Sequence, residues 1–413
     1  MRAFVLAAAI AAALNGSAFA RTYDEIMEEA EAAFVKEDYS AAGALLDEAQ
    51  IKRPYSLFLT RNRILTRLLT GREEEALAIA SAVAARGLVL QTPKHEAFDR
   101  LKALPSWRPI EARMEANAQP VGVAAVIAEY PEDGLLPEAI SIRKGRRLIG
   151  SVRTGGVLRA AQTLSPLARL DGGVFDIEQD GKSVFAAVNN QIAYERRGEE
   201  PPFAAIVEID ARTGRERRRV RMPAADSLIG DIEIDRHGTL YASDSLQPRL
   251  FALGKADAAA RILATDERWA NLQGIALDEK HDRLFLADYL TGLYVVDLRN
   301  GAVRPIGNPS DAHLGGIDGL YFHDGDLIGV QNGVSPQRIV RIRLDKTGSL
   351  AERLDVLAGS LEGWAEPTHG VIVGGEFHYI ATSNWPAYDD DGNVRGGADL
   401  APLRIMSVSI RWR

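Results

Sequence analysis

The spacing of hydrophobic positions changes once along the chain, close to residue 120. Between residues 21 and 115, the segments AEAAFVKEDYSAAGALLDEAQ and LTRLLTGREEEALAIASAVAARG carry apolar residues at spacings of three and four. Such spacing predicts amphipathic helices. After residue 120 the period is two, which predicts strands. The sequence therefore predicts a small helical domain at 21–115 and a mainly β domain at 121–413.

The two helical segments align with each other at a period of 34 residues. Ala42 corresponds to Ala76, Ala49 corresponds to Val83, and Pro54 stands where such a unit ends. Small residues at this period resemble tetratricopeptide helical hairpins. Two hairpins are fewer than a free-standing solenoid needs, so we expect the module to pack against the β domain. It would serve either as a plain helical cap or as a groove that docks a protein partner.

The β domain contains six copies of one short unit. Each unit starts with a phrase of small and branched residues and continues into a strand and a turn; the phrases are PEAISI, FDIEQD, GDIEID, LQGIAL, IDGLYF and THGVIV. The second residues of these phrases lie 38, 55, 42, 45 and 51 residues apart, and they are Glu138, Asp176, Asp231, Gln273, Asp318 and His369. This spacing suits one four-stranded blade per unit. We therefore predict a six-bladed β-propeller.

The first β segment, VGVAAVIA at 121–128, precedes the six units and has no partner of its own. The last unit has only about three strands up to Arg413. We interpret 121–128 as a buried strand that pairs with the last blade as its outermost strand. This pairing closes the ring and leaves fewer exposed sheet edges.

Two rings of polar side chains follow from the propeller geometry. The first strand of each blade lines the central channel, so the six second residues should lie around one circle. A further polar residue follows each of them by 13 to 15 positions, where the antiparallel second strand returns to the same level. We expect these residues to form an outer ring that contacts a substrate or supports the inner ring. They are Arg153, Asn189, Asp244, Asp288, Asn332 and Asn384.

The inner ring would bring four carboxylates to one axis, those of Glu138, Asp176, Asp231 and Asp318. Crowded like charges are unfavourable unless they are protonated or neutralised, and a divalent cation is the simplest neutraliser. Oxygen donors with no cysteine and one histidine favour calcium, magnesium or manganese over zinc. The ring is therefore either a metal site or a solvated, hydrogen-bonded plug in a wet channel.

A cation on the axis would polarise a carbonyl group and lower the pKa of a bound water. A carboxylate that is free of the metal would act as general base, and we favour Asp318 because its surroundings, HLGGIDGLYF, allow close backbone approach. His313, just upstream, and His369, in the ring, are candidates to move a proton near neutral pH. Three tryptophans flank this face and would either wall a substrate pocket or pack over the channel mouth: Trp269, Trp364 and Trp385.

The first twenty residues have the pattern of a secretory signal peptide. Arg2 precedes an apolar run at 4–14, and Ala18 to Ala20 form a small-x-small cleavage site. We expect a mature chain from Arg21 that is periplasmic or secreted. The alternative, an uncleaved membrane anchor, is disfavoured because the apolar run is short for a bilayer span. No later segment resembles a membrane helix.

Two bulk properties exclude whole classes of function. The chain has no cysteine, which excludes thiol catalysis, cysteine-bound zinc and iron–sulfur clusters. The formal net charge is −8, which argues against sequence-independent binding of nucleic acid, because such binding needs a basic surface.

Residues 120 to 413 resemble the six-bladed propellers of the senescence-marker-protein, gluconolactonase and luciferin-regenerating-enzyme family. The phrase LPEAIS with Glu138 resembles the family's metal-binding Glu phrase, and IDGLYFHDGDLIGVQNG with Asp318 resembles its DGM phrase, whose Asp is ligand and proposed base. LQGIALDEKHDRLFLADY resembles the family's NGLA phrase but has Gln273 in place of the Asn. GDIEIDRHGTLYASDS places Asp231 where many members have an Asn–Asp phrase.

The resemblance implies one divalent cation on the axis, calcium first and magnesium, manganese or zinc otherwise, and hydrolysis of a small lactone or ester. We predict Glu138, Asp231, Gln273 and Asp318 as metal ligands, with Asp318 and His313 as catalytic residues. The positions predicted to contact the substrate or support the ligands are Asp176, Asn189, Asp244, Asp288, Asn332, His369 and Asn384. The competing hypothesis is a non-catalytic propeller that binds a ligand or a protein in the cell envelope.

Overall fold

Six α-helices form the N-terminal part of the computed structural model, which describes residues 21–411. They are α1 (Tyr23–Val35), α2 (Tyr39–Lys52), α3 (Leu57–Leu69), α4 (Glu73–Ala85), α5 (Glu96–Ala103) and α6 (Arg108–Asn117). The signal peptide predicted at 1–20 lies outside the described residues, so the cellular location stays a prediction. None of the described helices combines the length and apolar character that crossing a bilayer requires.

The first four helices repeat with the period that the sequence predicts. Helices α1 and α3 begin 34 residues apart, and so do α2 and α4. The matched residues Ala42 and Ala76 are both fully buried, because small side chains let neighbouring helices approach closely. Side chains that cap free N–H groups mark where helices begin. Thr22 and Glu25 form a capping box for α1, and Ser56 caps α3.

The remainder of the described chain forms 24 strands. They are β1 (Ala125–Tyr130), β2 (Pro137–Arg143), β3 (Arg146–Ser151), β4 (Gly156–Ala160), β5 (Leu164–Arg169), β6 (Gly173–Asp180), β7 (Ser183–Asn189), β8 (Ala204–Asp210), β9 (Glu216–Arg221), β10 (Ile229–Ile234), β11 (Leu240–Asp244), β12 (Arg249–Leu253), β13 (Arg261–Thr265), β14 (Leu272–Asp278), β15 (Arg283–Asp288), β16 (Gly292–Asp297), β17 (Val303–Pro305), β18 (Leu320–His323), β19 (Asp326–Gln331), β20 (Arg338–Leu344), β21 (Ala351–Gly359), β22 (Gly370–Val373), β23 (Glu376–Ile380) and β24 (Leu403–Ser409).

These strands form six antiparallel four-stranded sheets, which confirms the predicted six-bladed propeller. Blades 1 to 5 are consecutive: β2–β5, β6–β9, β10–β13, β14–β17 and β18–β21. Blade 6 combines β22, β23 and β24 with β1 as its outermost strand. The two ends of the propeller chain therefore meet in one sheet, which holds the ring closed.

The closing strand differs from its prediction in burial. It runs from Ala125 to Tyr130, and Val121 contributes only an isolated bridge to Gly359. Val123 is 85% exposed and Val126 is 52% exposed. The expectation of a buried strand at 121–128 was therefore wrong, because an outermost strand has one pairing partner and turns a face to solvent.

The hydrophobic core lies between neighbouring blades. Phe285 of blade 4 stacks on Phe322 of blade 5 with ring centroids 5.4 Å apart. Blades 1 and 2 approach so closely that a β-carbon added to Gly150 would lie 2.6 Å from Val174 Cγ1. Side chains on both faces of each sheet are thus covered by adjacent sheets, and this leaves the inner strands rigidly placed around the channel.

Tyr55, in the turn between α2 and α3, fixes the helical module on the propeller. Its backbone N–H donates to the Leu290 carbonyl at 3.0 Å, and its hydroxyl accepts from Asn308 Nδ2 at 3.0 Å. The base of its side chain packs on Gly315, where an added β-carbon would come within 2.3 Å of Tyr55 Cβ. The module therefore packs on blade 4 and the loop that follows it, as expected for so short a repeat. The predicted docking of a protein partner stays a prediction.

A buried arginine makes a second interdomain contact. Arg338 of β20 is 3% exposed. Its guanidinium donates to Gln331 Oε1 at 2.6 Å and to the Gly87 carbonyl at 3.4 Å, just beyond the end of α4. A cation at a helix C-terminus complements the negative end of the helix dipole. Blade 5 thus also holds the helical module.

Tyr55→Ala is expected to lower the free energy of unfolding by about 2–4 kcal/mol, because it removes a large side chain from a packed interface. The midpoint of urea unfolding measures this loss, and proteolysis between residues 86 and 121 should accelerate. Phe58→Ala is the matched control, since Phe58 is 54% exposed on the next helix. Equal shifts for the two variants would contradict the assigned role of Tyr55.

Candidate functional site

A repeated irregularity at the start of the inner strands aims side chains into the channel. In blades 1 to 4 the register between the first and second strands shifts at the axial residue or next to it. A bulge of this kind turns a side chain away from the regular alternation of a strand. In blades 5 and 6, Asp318 and His369 stand just ahead of β18 and β22. The sequence phrase thus marks the place where each blade enters the axis.

The five axial side chains that carry a carboxylate or an imidazole converge. Ligand atoms of Glu138, Asp318 and His369 all lie within 4.8 Å of one another. Ligand atoms of Asp176, Asp231 and His369 do the same. His369 belongs to both groups, so the five residues form one cluster, which we call the axial cluster. It draws on blades 1, 2, 3, 5 and 6.

Two carboxylates of the axial cluster are anchored to the neighbouring blade. Asp176 Oδ2 accepts a hydrogen bond from the Ile232 N–H at 3.0 Å. Asp231 Oδ2 accepts one from the Ile275 N–H at 2.7 Å. Each carboxylate thus binds a backbone N–H in the first strand of the next blade, so the two side chains occupy equivalent positions around the axis.

The other two carboxylates are held by side chains. The indole N–H of Trp385 donates to Glu138 Oε2. Asn332 Nδ2 donates to Asp318 Oδ2 at 2.6 Å, and Asn332 Oδ1 accepts from the Tyr289 hydroxyl at 3.1 Å. These contacts fix the rotamers of Glu138 and Asp318 before any ligand arrives.

Asp176 and His369 form an ion pair inside the cluster. His369 Nδ1 lies 3.4 Å from Asp176 Oδ1. Burial opposes ionisation of Asp176, but the hydrogen bond and charge of His369 outweigh it and lower the pKa of Asp176. Burial alone would lower the pKa of His369, yet the carboxylates around it, led by Asp176, raise that pKa well above its ordinary value. Each partner therefore keeps the other charged.

The remaining carboxyl groups are pushed towards their protonated forms. Burial and the nearby Asp318 raise the pKa of Glu138 to about 8. Burial and the charge of Asp176 raise the pKa of Asp231 well above its ordinary value. Burial also raises the pKa of Asp318, although His369 and Asn332 oppose the shift. A divalent cation bound here would compete with protons for these carboxyl groups.

Gln273, the sixth axial residue and a predicted ligand, forms a hydrogen bond with a residue just ahead of its own strand. Its Nε2 donates to Asn271 Oδ1 at 2.8 Å, and Asn271 Nδ2 donates to the Ser245 carbonyl at 3.0 Å. The predicted ligands Glu138, Asp231 and Asp318 lie in the axial cluster.

Most of the predicted outer ring hydrogen-bonds backbone groups. Asn189 exchanges two hydrogen bonds with Ile229 of the next blade, and Asn384 exchanges two with Ala401. Asp244 and Asp288 each accept several backbone N–H groups of the loops beside them. They do so because buried N–H groups in the connecting loops need acceptors, and contact of these four residues with a substrate stays a prediction.

Among the outer-ring positions of the described chain, Asn332 is the residue whose side chain hydrogen-bonds an axial carboxylate. It also donates to the Pro367 carbonyl at 3.1 Å. Arg153, by contrast, donates to the carbonyls of Gly134 and Gly392.

His313, predicted as a proton carrier, lies under the helical module. It is 3% exposed, and its ring meets the Tyr55 ring edge-on at 5.1 Å. Burial, with the positive charges of Arg338 and Arg86, lowers the pKa of His313 to about 3. A group with this pKa stays neutral near pH 7, which disfavours the predicted proton transfer by His313 near neutrality. The cause is a contact with a residue more than 250 positions away.

Glu366 is a site residue that the sequence analysis missed. Burial and the nearby Asp318 raise its pKa to about 7, although Gln337 opposes the shift. It lies three residues before His369, in the loop that leads into blade 6. No local motif marks it; its role depends on how that loop folds back.

The three tryptophans separate into different roles. Trp385 contacts the cluster through Glu138 and lies tilted against Phe175, with ring centroids 6.3 Å apart. Trp269 packs edge-on against Tyr294, and Trp364 donates to the Tyr379 hydroxyl at 3.2 Å. Trp385 therefore shields the cluster, and the other two stabilise blades.

The channel continues below the cluster into a cavity of about 510 Å³. Glu178 and Glu233 line it, two positions beyond Asp176 and Asp231 on the same strands. Burial and the neighbouring carboxylates raise the pKa of both, that of Glu233 to about 8. The period of two along a strand would have predicted this second acidic level.

Neither the protein-family models nor the curated proteins include a match to this chain. Solved propellers match it at low identity. A PQQ-bound aldose sugar dehydrogenase from Streptomyces coelicolor has 15% identity and a TM-score of 0.47, covering 70% of this chain and 99% of that one. A putative oxidoreductase (glucose dehydrogenase) from Thermus thermophilus has 18% identity and a TM-score of 0.48, covering 69% and 99%.

A catalytically inactive virginiamycin B lyase from Staphylococcus aureus, solved with quinupristin, has 11% identity and a TM-score of 0.44, covering 70% of this chain and 99% of that one. At such identities these likenesses concern the propeller fold alone.

Proposed function

We propose that this protein is a metal-dependent hydrolase of lactones or related esters, and that its axial cluster binds one divalent cation. The observation that carries the proposal is the convergence of Glu138, Asp318 and His369 within 4.8 Å at the axis. The likeness of the phrases around Glu138 and Asp318 to those of gluconolactonase-type propellers supports the choice of reaction.

The donor set suits a cation. Glu138, Asp318 and His369, once His369 has released its proton, would hold it, and Asp231, grouped with His369 and Asp176, is a further oxygen donor. Raised carboxyl pKa values are what a buried cation site shows when protons take the place of the ion. Carboxylate oxygens suit calcium, magnesium and manganese, and the imidazole of His369 also suits manganese and zinc. When bound, the ion would polarise the substrate carbonyl and acidify a water.

The residues of the chain have distinct tasks in this proposal. Asp318 accepts the proton of the attacking water, in an orientation that Asn332 fixes. Glu366 replaces His313 as the proton carrier, because a pKa of about 7 lets it hold or release a proton near neutrality. Trp385 covers Glu138 and limits the access of water to the cluster.

The purified protein is expected to contain about one equivalent of a divalent cation and to hydrolyse members of a lactone and aryl-ester panel. A chelator should abolish turnover, and adding the cation back should restore it. Glu138→Gln should weaken cation binding by about 10–100-fold or more, as the loss of groups around a metal does. Metal analysis and calorimetric titration measure both quantities.

Two results would contradict the hydrolase. Tight cation binding with no turnover across the panel would identify a binding protein instead. Turnover that a chelator does not change would remove the metal from the reaction.

A further inference from the structure

A second cavity lies between the helical module and the propeller. Its volume is about 340 Å³, which falls within the range of small-molecule sites. Leu57 and Arg61 of α3, with Gln91 beyond α4, form one wall. The segment from Asn332 to Gln337, between β19 and β20, forms the other. We call this space the interdomain cavity.

The interdomain cavity adjoins the axial cluster through two of its lining side chains. Asn332 donates to Asp318 Oδ2 at 2.6 Å. Gln337 lowers the pKa of Glu366, which burial and Asp318 raise. A ligand in the cavity therefore stands one side chain away from the carboxylate that we propose as general base.

The channel cavity and the interdomain cavity have opposite chemistry. Six Asp and Glu residues line the channel cavity. Among the described residues, none of those that line the interdomain cavity is acidic. Its polar side chains are Arg61, Gln91, Asn332, Ser335 and Gln337. One cation, several hydrogen-bond donors and no carboxylate favour an anionic, oxygen-rich ligand.

Arg61 is available for such a ligand. Two other arginines on the same helix, Arg63 and Arg67, both pair with Asp47. Within the part of the chain that the structure describes, Arg61 forms no ion pair with a carboxylate at 4.0 Å or less. A planar guanidinium in this position can bind a carboxylate through two parallel hydrogen bonds.

We infer that the interdomain cavity binds a carboxylate carried by the substrate and that Arg61 determines this specificity. The inference rests on the proposed function and narrows it to lactones or esters that bear a carboxylate beside the reacting ring. The helical module then completes the substrate site. Its contacts at Tyr55 and Arg338 hold Arg61 in place over the propeller.

Two lactones that differ in a single group test the inference on the full-length protein. They are γ-butyrolactone and the same ring with a carboxylate on C5. We expect the wild type to favour the carboxylated ring in kcat/KM by about 10–100-fold, the range of a charged hydrogen-bonded contact. Arg61→Gln should bring the ratio close to one, mainly through KM. Arg61→Lys should restore part of it.

Arg63→Gln is the matched control, because it removes a guanidinium from the same helix that already pairs with Asp47. This variant should keep the wild-type ratio. Equal kcat/KM for both lactones, unchanged in Arg61→Gln, would overturn the inference and leave the proposed function standing.

Absence of hydrolysis with both lactones and across the lactone and aryl-ester panel would overturn the proposed function, and calorimetry then tests the cavity alone. Binding of glutarate in preference to its neutral diamide, weakened about tenfold or more by Arg61→Gln, would support an anion site. No preference, or a preference that survives Arg61→Gln, would overturn it.

Discussion

Asp318→Asn is expected to lower kcat for a lactone or aryl ester by a factor of about 10² to 10⁴, the range attributed to a positioned general base. The amide keeps the shape of the side chain and an oxygen that can accept from Asn332 Nδ2, so the fold should persist. It cannot take up a proton from water, and it brings no charge to a cation. Steady-state kinetics with parallel metal analysis would separate the two losses.

The matched control for this substitution lies in the same blade. Asp324 is a turn residue whose side chain is 79% exposed, and its φ of 48° is one that Asn adopts readily. Asp324→Asn should leave kcat, KM and metal content unchanged. An Asp318→Asn enzyme that keeps its cation and more than about a tenth of the wild-type kcat would refute the base assignment.

Acidification from pH 6.5 to pH 4.5 is expected to cost the protein about 2–3 kcal/mol of stability through His313 alone. The pKa of His313 is about 3 in the folded protein and near 6.5 in the unfolded chain. Between these values the unfolded state binds a proton that the folded state does not. Stability therefore rises with pH across this window and is complete above pH 6.5.

His313→Phe isolates this effect, because a phenyl ring preserves the edge-on contact with Tyr55 but cannot be protonated. The variant should lose about 1.4 kcal/mol less than the wild type for each pH unit of acidification between 6.5 and 4.5. His237→Phe, at an exposed hairpin position, should follow the wild type. Urea unfolding at several pH values measures the difference. Parallel curves for the wild type and His313→Phe would contradict the buried, neutral state of His313.

The fold was largely predictable because its signals are local and repeated. A change of hydrophobic period near residue 120 separates helices from strands, and a 34-residue offset recurs in the helical hairpins. Six copies of one phrase define six blades. The closing strand was assigned the wrong burial, since VGVAAVIA is apolar whether a strand lies inside a sheet or at its edge.

The candidate site was predictable only at repeated positions. Equivalent residues of equivalent blades must lie at equivalent distances from one axis, so Glu138, Asp231, Asp318 and His369 meet. The outer-ring residues also occupy equivalent positions, and this repetition alone suggested contact with a substrate or with the inner ring. Whether a polar side chain at such a position faces a ligand or binds backbone depends on loops whose paths the repeat does not define.

The sequence by itself determined the helical and propeller domains, the number of blades and the residues that reach the axis, because each of these follows from a period that short-range geometry imposes. Only the tertiary structure decided that Tyr55 buries His313 and that Glu366 lies near Asp318. It also decided that Arg61 and Asn332 line the same cavity. These relations depend on contacts between segments far apart in the chain. Burial and the charges nearby, and not the residue type, then determine which groups titrate, bind backbone or remain available to a ligand.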